Sequence, residues 1–163
     1  MTEIRAASAE ELPGVASFLA RTISADPAYV SHGEIQTGLS IDGKNWVDDL
    51  EAKFREDLAD LDEDRTVHVA INDGRLAGAL IAFWALKGRT SYVVIEDLAV
   101  DPACRRLGIG DKLVRHVEEK ARDRKVIWSF LESGLNNHGA HDFFVEHGYA
   151  AISKVFARRL DPR

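Results

Sequence analysis

The sequence predicts an α+β fold in which a mixed sheet carries helices on both faces. Three observations point there. Hydrophobic spacing switches repeatedly between a helical and a strand period. Three strand-like runs follow one another in the middle of the chain with no helix between them. The order β-α-α-β-β-β-α-β-α-β also lacks the strict alternation of a doubly wound sheet.

Residues 3–6 read as a first strand. Ser8, with Glu11 three residues on, forms a capping box that opens a helix running to about Ile23. Residues 26–38 are a loop or a short irregular helix. A second helix is expected over residues 44–61, because Trp46, Leu50, Phe54, Leu58 and Leu61 recur on one face. Residues 66–71 and 76–86 are strands joined at Asn72-Asp73-Gly74, a run of turn formers. Residues 91–100 form the next strand, dense in β-branched side chains and reached through a turn at Gly88. A helix over residues 108–122 buries Ile109, Leu113, Val117 and Ala121. Residues 126–131 return as a strand. The helix over residues 137–147 is closed by Gly148 at the C′ position, and residues 150–159 are expected as a final strand. There is no repeat, low-complexity tract or linker, so residues 1–163 are expected to form a single domain.

Composition narrows the function classes. Hydrophobic residues make up 45% of the chain and charged residues 29%, the balance of a globular protein. Residues 1–10 are polar, and the longest apolar stretch, 76–86, is about half of the ~20 residues that cross a bilayer. The expectation is a cytoplasmic protein with no membrane partner. Cys104 is the only cysteine, which excludes an internal disulfide and a cysteine-based zinc site; it reads as a small loop residue. His138 and His141 lie one helical turn apart, but no third ligand stands at helical spacing, so no metal is expected.

The formal charge of −6 argues against nucleic acid as a partner. Its distribution is uneven. Residues 40–64 carry ten acids against three bases, a net −7 that exceeds the excess of the whole chain. Residues 104–125 carry eight bases against four acids. Such a chain can meet a cation on one part and an anion on another.

The densest chemical signal is residues 94–110, VIEDLAVDPACRRLGIG. A buried strand ends at Asp101-Pro102, and Arg105-Arg106-Leu107-Gly108-Ile109-Gly110 leads into a helix. Gly108 and Gly110 remove two Cβ atoms where a ligand can approach the backbone. First-turn N–H groups point outward with roughly half a positive charge, and Arg105 and Arg106 add forked donors. Together these make an anion cradle suited to a pyrophosphate. The dinucleotide fingerprint fails because Leu113 holds the third glycine position. The P-loop fails because Asp111-Lys112-Leu113 follows Gly110. Two glycines at a helix start also occur as a plain tight turn.

This stretch resembles motif A of the GNAT superfamily of N-acetyltransferases, Arg/Gln-x-x-Gly-x-Gly/Ala directly after a strand; here Arg105-x-x-Gly108-x-Gly110. Residues 137–149, NHGAHDFFVEHGY, are similar to a second family block, Asn-x-x-Ala-x-x-x-Tyr-x-x-x-Gly-Phe/Tyr. The close resemblance covers residues 92–160; residues 1–90 agree in element order alone. It implies a single-domain GNAT-like fold with a mostly antiparallel sheet splayed between strands 4 and 5. Acetyl-CoA would be the co-substrate. Leu98, Ala99 and Val100 would pair with the pantetheine arm in the splay, and Arg105, Arg106, Leu107, Gly108, Ile109, Gly110 and Asp111 would hold the pyrophosphate. Asn137, Ala140 and Phe144 would lie toward the thiol end. Phe144 departs from the family, which often has a tyrosine there to protonate the leaving thiolate.

Acetyl transfer needs a deprotonated amine, yet an alkylammonium has a pKa of about 10.4. A base must take the proton, and Glu96 is the candidate. It interrupts an apolar strand where burying a carboxylate is costly, and burial would raise its pKa into a useful range. Members of the resembling family carry a Glu-Asp pair at this point, with the glutamate facing the amine. Asp97 would face the other way unless a bulge intervenes. The competing reading of Glu96 is a carboxylate at the edge of the core, held by a neighbouring arginine. An N–H near Leu98 would serve the oxyanion.

The expected activity is acetyl transfer to a primary amine. The acidic segment favours a small cationic acceptor of polyamine or aminosugar type, with Glu34, Trp46 and Asp49 as candidate acceptor contacts. Acetylation of a protein N-terminus or lysine, and a non-catalytic acyl-CoA sensor, remain open alternatives. Dimers are frequent among similar proteins, which leaves a homodimer open.

Overall fold

The computed structural model describes residues 1–161. The chain packs as two compact units: Met1–Asp26 with Asp48–Glu132, and Pro27–Val47 with the residues from Ser133 onward. The strands are β1 (Thr2–Ala6), β2 (Arg65–Asn72), β3 (Arg75–Ala85), β4 (Tyr92–Val100) and β5 (Trp128–Leu131). The helices are α1 (Leu12–Ser24), α2 (His32–Gln36), α3 (Leu50–Ala59), α4 (Ile109–Asp123) and α5 (His138–Glu146).

The first unit holds the sheet, in the order β1-β2-β3-β4-β5. Neighbours from β1 to β4 are antiparallel, and β5 runs parallel to β4. The α+β class with a mixed sheet is therefore as expected. In the middle of β2 and β3 consecutive residues are buried, so these strands are covered on both faces. Asn72 pairs with Arg75 around Asp73 and Gly74, whose φ values are 49° and 77°. Two central residues at positive φ give a type I′ turn, whose twist matches the flanking strands.

The capping box at the start of α1 is present: the Ser8 N–H donates to Glu11 over 2.8 Å. Arg5 adds two more bonds to Glu11, at 2.8 and 2.7 Å. These contacts hold the Glu11 carboxyl down at about 2. The apolar face of α1 (Val15, Leu19, Ile23) and that of α3 (Leu50, Phe54, Leu58) are buried, and the two helices pack together.

Helix α3 begins at Leu50, six residues later than the sequence predicts, and ends at Ala59. Asp42 is the reason. Its Oδ1 accepts the Lys44 and Asn45 amides, both at 2.8 Å, and Gly43 takes a positive φ of 73°. This side-chain turn competes with helix for the same backbone donors. Trp46 therefore lies outside α3 and off its stripe.

Helix α4 buries Ile109, Leu113, Val117 and Ala121, as expected, and Val114 besides. Its seat is Gly78 on β3. A Cβ there would lie 2.9 Å from Ile109 Cγ2, 3.0 Å from Leu113 Cδ1 and 3.3 Å from Ala99 O. Beside this seat lies a polar chain inside the core. Trp84 Nε1 donates to Thr66 Oγ1 over 2.7 Å, and Thr66 Oγ1 lies 2.9 Å from His68 Nε2. The indole can only donate, so Thr66 Oγ1 accepts from Trp84 and links it to the His68 ring. His68 is 2% exposed and meets His116 of α4 edge-on at 5.1 Å.

In the second unit, Ser31 caps α2 and is itself held by Glu34, which accepts from its amide and hydroxyl at 2.5 and 2.7 Å. Gly134 passes so close to Ala28 that a Cβ would collide with its carbonyl. Residues 150–159 were expected as a strand, but no strand is formed there. Their large apolar positions, Ile152, Val155 and Phe156, follow no strict alternation and have no ladder partner, and Phe156 is 91% exposed. A strand segment without a ladder does not offset its ordering entropy.

Candidate functional site

The site is built on the junction of β4 and α4, inside the first unit. β4 pairs with β3 along its whole length, but its ladder with β5 ends at Ile95–Leu131. The expected splay is thus where β4 runs on through Leu98, Ala99 and Val100. The chain then turns. The Asp101 carboxylate accepts the Ala103 amide over 2.8 Å, and the Asp101 carbonyl accepts the Cys104 amide over 2.8 Å. This short turn points the chain at the head of α4.

Arg106 and Gly108 both take left-handed backbone, with φ of 65° and 71°. Left-handed residues in a tight turn line up N–H groups on a concave surface. Among the described residues, the amides of Arg106, Leu107, Gly108, Ile109 and Gly110 make no hydrogen bond to the protein. The Gly108 carbonyl accepts the Lys112 amide at 3.0 Å, the first bond of a helix of 15 residues. A Cβ on Gly108 would meet nothing within 4 Å, so the space before it is open. Arg105 and Arg106 are exposed at the same turn. Asp111 accepts from Arg115 over 2.8 Å. The arrangement is a row of donors, two guanidinium groups and a helix N-terminus, which is the chemistry that holds a diphosphate.

Glu96 is placed by an irregularity. Asp97 pairs with Ile81, and Ile95 with Ala82, so Glu96 is the extra residue of a β-bulge. The expected burial is not found. The bulge lets the carboxylate reach the surface, where its side chain is 32% exposed and Oε2 accepts from Arg65 Nε over 2.8 Å. The arginine of the competing reading is therefore present. Asp57 of α3 also faces Arg65: burial pushes its carboxyl up, and the arginine opposes that.

The other sequence-predicted residues are spread over both units. Asp49, in the first unit, precedes α3 and lies 3.8 Å from Lys53. In the second unit, Asn137 caps α5 and accepts the Ala140 amide at 3.4 Å. Phe144 packs on Phe143, with centroids 5.1 Å apart, and on Tyr149, at 5.6 Å. Trp46 lies 5.9 Å from Tyr29, with Nε1 buried and unpaired among the described residues. Glu34 serves the α2 cap. His141 Nε2 is 2.9 Å from the Gly134 carbonyl, so one ring nitrogen of that histidine is engaged.

Two residues, Gly78 and Arg65, escaped the sequence reading. Gly78 seats α4, and a glycine inside an apolar strand is itself a signal of close approach. Arg65 carries no sequence signal, because its partner is 31 residues away. Tyr149 is folded back by the helix cap. Gly148 takes φ of 84°, its amide bonds Val145 O at 3.0 Å, and the Tyr149 amide bonds Phe144 O at 3.0 Å. This is a Schellman pattern, and its usual apolar contact is the Tyr149–Phe144 pair.

Comparison with known proteins bears on the fold. The fold is similar to that of a transcriptional regulator from Bacillus halodurans C-125, with 19% identity and a TM-score of 0.72 over 98% of this chain and 100% of that one. An aminoglycoside acetyltransferase from an uncultured soil metagenomic sample, in complex with sisomicin, is 20% identical, with a TM-score of 0.68 over 99% and 97% of the two chains. A ribosomal-protein-alanine N-acetyltransferase from Brucella melitensis is 15% identical, with a TM-score of 0.71 over 98% and 100%. These identities speak for shared fold. Among curated proteins, 75 residues are 25% identical to part of a non-reducing polyketide synthase from Emericella nidulans; the match spans 46% of this chain but 4% of that protein. The sequence pattern of the acetyltransferase (GNAT) family matches residues 34–149, the greater part of the chain, and the chain belongs to that family.

Proposed function

We propose that this chain is an acetyl-CoA-dependent N-acetyltransferase that moves an acetyl group onto the primary amine of a small cationic acceptor, acting as one domain over residues 1–163. The observation that carries the reading is the run of unpartnered amides from Arg106 to Gly110 at the head of α4. Free main-chain donors at a helix N-terminus are matched to a diphosphate, and Arg105 and Arg106 supply formal charge beside them. Acetyl-CoA supplies a thioester carbonyl as the electrophile. In this reading Arg105, Arg106, Leu107, Gly108, Ile109, Gly110 and Asp111 hold its diphosphate. Leu98, Ala99 and Val100 offer main-chain groups to the pantetheine arm where the β5 ladder has ended. Asn137, Ala140 and Phe144 serve its thiol end.

Glu96 then orients the acceptor ammonium and takes up its proton, directly or through water. The carboxylate has one oxygen on Arg65; among the described residues, Oε1 has no partner and is the oxygen offered to the amine. The acidic segment, with Asp49 and Glu34 as candidate contacts, attracts a polyamine or aminosugar. The aminoglycoside acetyltransferase and the ribosomal-protein-alanine acetyltransferase share this fold to similar extents. Charge, not fold, is what favours the small cation over a protein N-terminus.

The test is release of free CoA thiol with a panel of polyamines, aminosugars, neutral amines and N-terminal peptides. Turnover confined to the cationic amines is expected, and Glu96→Gln should abolish most of it. Turnover confined to peptides would redirect the reading to protein acetylation. Tight acetyl-CoA binding with no turnover on any amine would make the chain an acyl-CoA sensor.

A further inference from the structure

Arg65 opens β2, opposite Phe83 of β3, which in turn lies opposite Val94 of β4. Its guanidinium therefore spans the width of β3 to reach Glu96. Its own backbone is fixed on both sides. The Arg65 amide donates to Asp62 O over 3.2 Å, and the Trp84 amide bonds Asp64 O at 2.7 Å where the ladder begins. Glu96 sits at the irregularity of the β3–β4 pairing. As the extra residue of a bulge, it is excluded from the β3–β4 register that aims its neighbours. Among the described residues, the one hydrogen bond to its carboxylate comes from Arg65.

We infer that Arg65 is a positioning residue for acetyl transfer: it tethers Oε2 of Glu96 and so presents Oε1 to the acceptor amine. The inference rests on the assignment of Glu96 as base. The pair uses Nε alone, so it fixes the carboxylate without covering both of its oxygens. A partly exposed ion pair adds little to stability. Its effect therefore belongs in kcat, because a small misplacement of a catalytic group is costly there.

The experiment is a double-mutant cycle on the full chain with Arg65→Gln, Arg65→Lys, Glu96→Gln and the Arg65→Gln/Glu96→Gln pair. It reads kcat, both KM values, CoA affinity and melting temperature. Arg65→Gln is expected to lower kcat on the order of tenfold in the wild-type background and by less than about twofold in the Glu96→Gln background. Its CoA affinity and melting temperature should stay at wild type. Arg65→Lys, which keeps charge but not the fork, should recover part of the loss. An equal loss in both backgrounds, or no loss with Glu96→Gln inactive, overturns the positioning role while leaving the base. Full kcat in Glu96→Gln overturns the base itself, and the inference falls with it.

Discussion

Gly78 links the packing of the sheet to the geometry of the cradle, and Gly78→Ala makes that link measurable. The added Cβ would stand 2.9 Å from Ile109 Cγ2, 3.0 Å from Leu113 Cδ1 and 3.3 Å from Ala99 O. The first two are side-chain ends that can give way; the third is backbone of β4. Relief therefore moves the first turn of α4 outward by a few tenths of an ångström. Forcing a methyl into a packed core costs about 1–3 kcal/mol. Gly78 is not at positive φ, so alanine also returns about 0.4–1 kcal/mol by stiffening the unfolded chain. The net loss is about 1–2 kcal/mol, or roughly 2–8 °C in melting temperature for a chain of this size. Ile109 belongs to both the collision and the cradle, so CoA affinity should fall on the order of fivefold. Gly14→Ala is the control: the same change on α1, where a Cβ meets nothing within 4 Å, should not destabilise. Urea unfolding and calorimetric CoA titration of both variants check the argument. Wild-type melting and affinity in Gly78→Ala would refute the seating of α4 on this glycine.

Other outcomes follow from the same structure. Gly108→Ala meets no clash, but its φ of 71° is left-handed. It should lose about 1 kcal/mol in urea unfolding, and Gly108→Asn less, because asparagine tolerates that region. Burial holds His68 down to about 4 from 6.5, with His116, Lys120 and Arg124 adding to the effect. The unfolded chain therefore binds this proton first. Stability should be full above about pH 6.5 and fall by roughly 3 kcal/mol as pH drops toward about 4. Urea midpoints against pH should show that slope in the wild type and a flatter one in His68→Gln. Tyr149 sits on the ring of Phe144, the position where the family often has a hydroxyl. Tyr149→Phe should lower kcat several-fold at neutral pH, with CoA affinity unchanged. The deficit should shrink above about pH 8.5, where a thiolate leaves without a proton; a pH-independent deficit would remove Tyr149 from that step.

What was legible in the sequence was mostly local. The Ser8–Glu11 box, the Asp73-Gly74 hairpin, the buried stripe of α4 and the Gly148 stop each depend on residues within about a turn of one another. The cradle was legible for the same reason, since five consecutive amides and two glycines are one short segment. Longer-range features were hidden. The bulge at Glu96 arises from the register of β4 against β3, and the Arg65 tether from pairing across the sheet. Spacing along the chain therefore pointed to a buried carboxylate where the fold exposes one. The early start expected for α3 failed because a hydrophobic stripe takes no account of Asp42 capturing the amides of Lys44 and Asn45. The strand expected over residues 150–159 rested on composition; its apolar spacing did not commit to either period.

In the proposed function, the amides of Arg106 to Gly110 grip the diphosphate of CoA. Backbone amide chemical shifts in a ¹⁵N-labelled sample, followed as CoA is added, test it most directly. The largest shifts should fall on those five amides, with a smaller group at Leu98–Val100, and a Gly108→Pro variant should lose both. Saturable CoA binding that leaves Arg106–Gly110 unmoved, or no binding at millimolar CoA, would contradict the account.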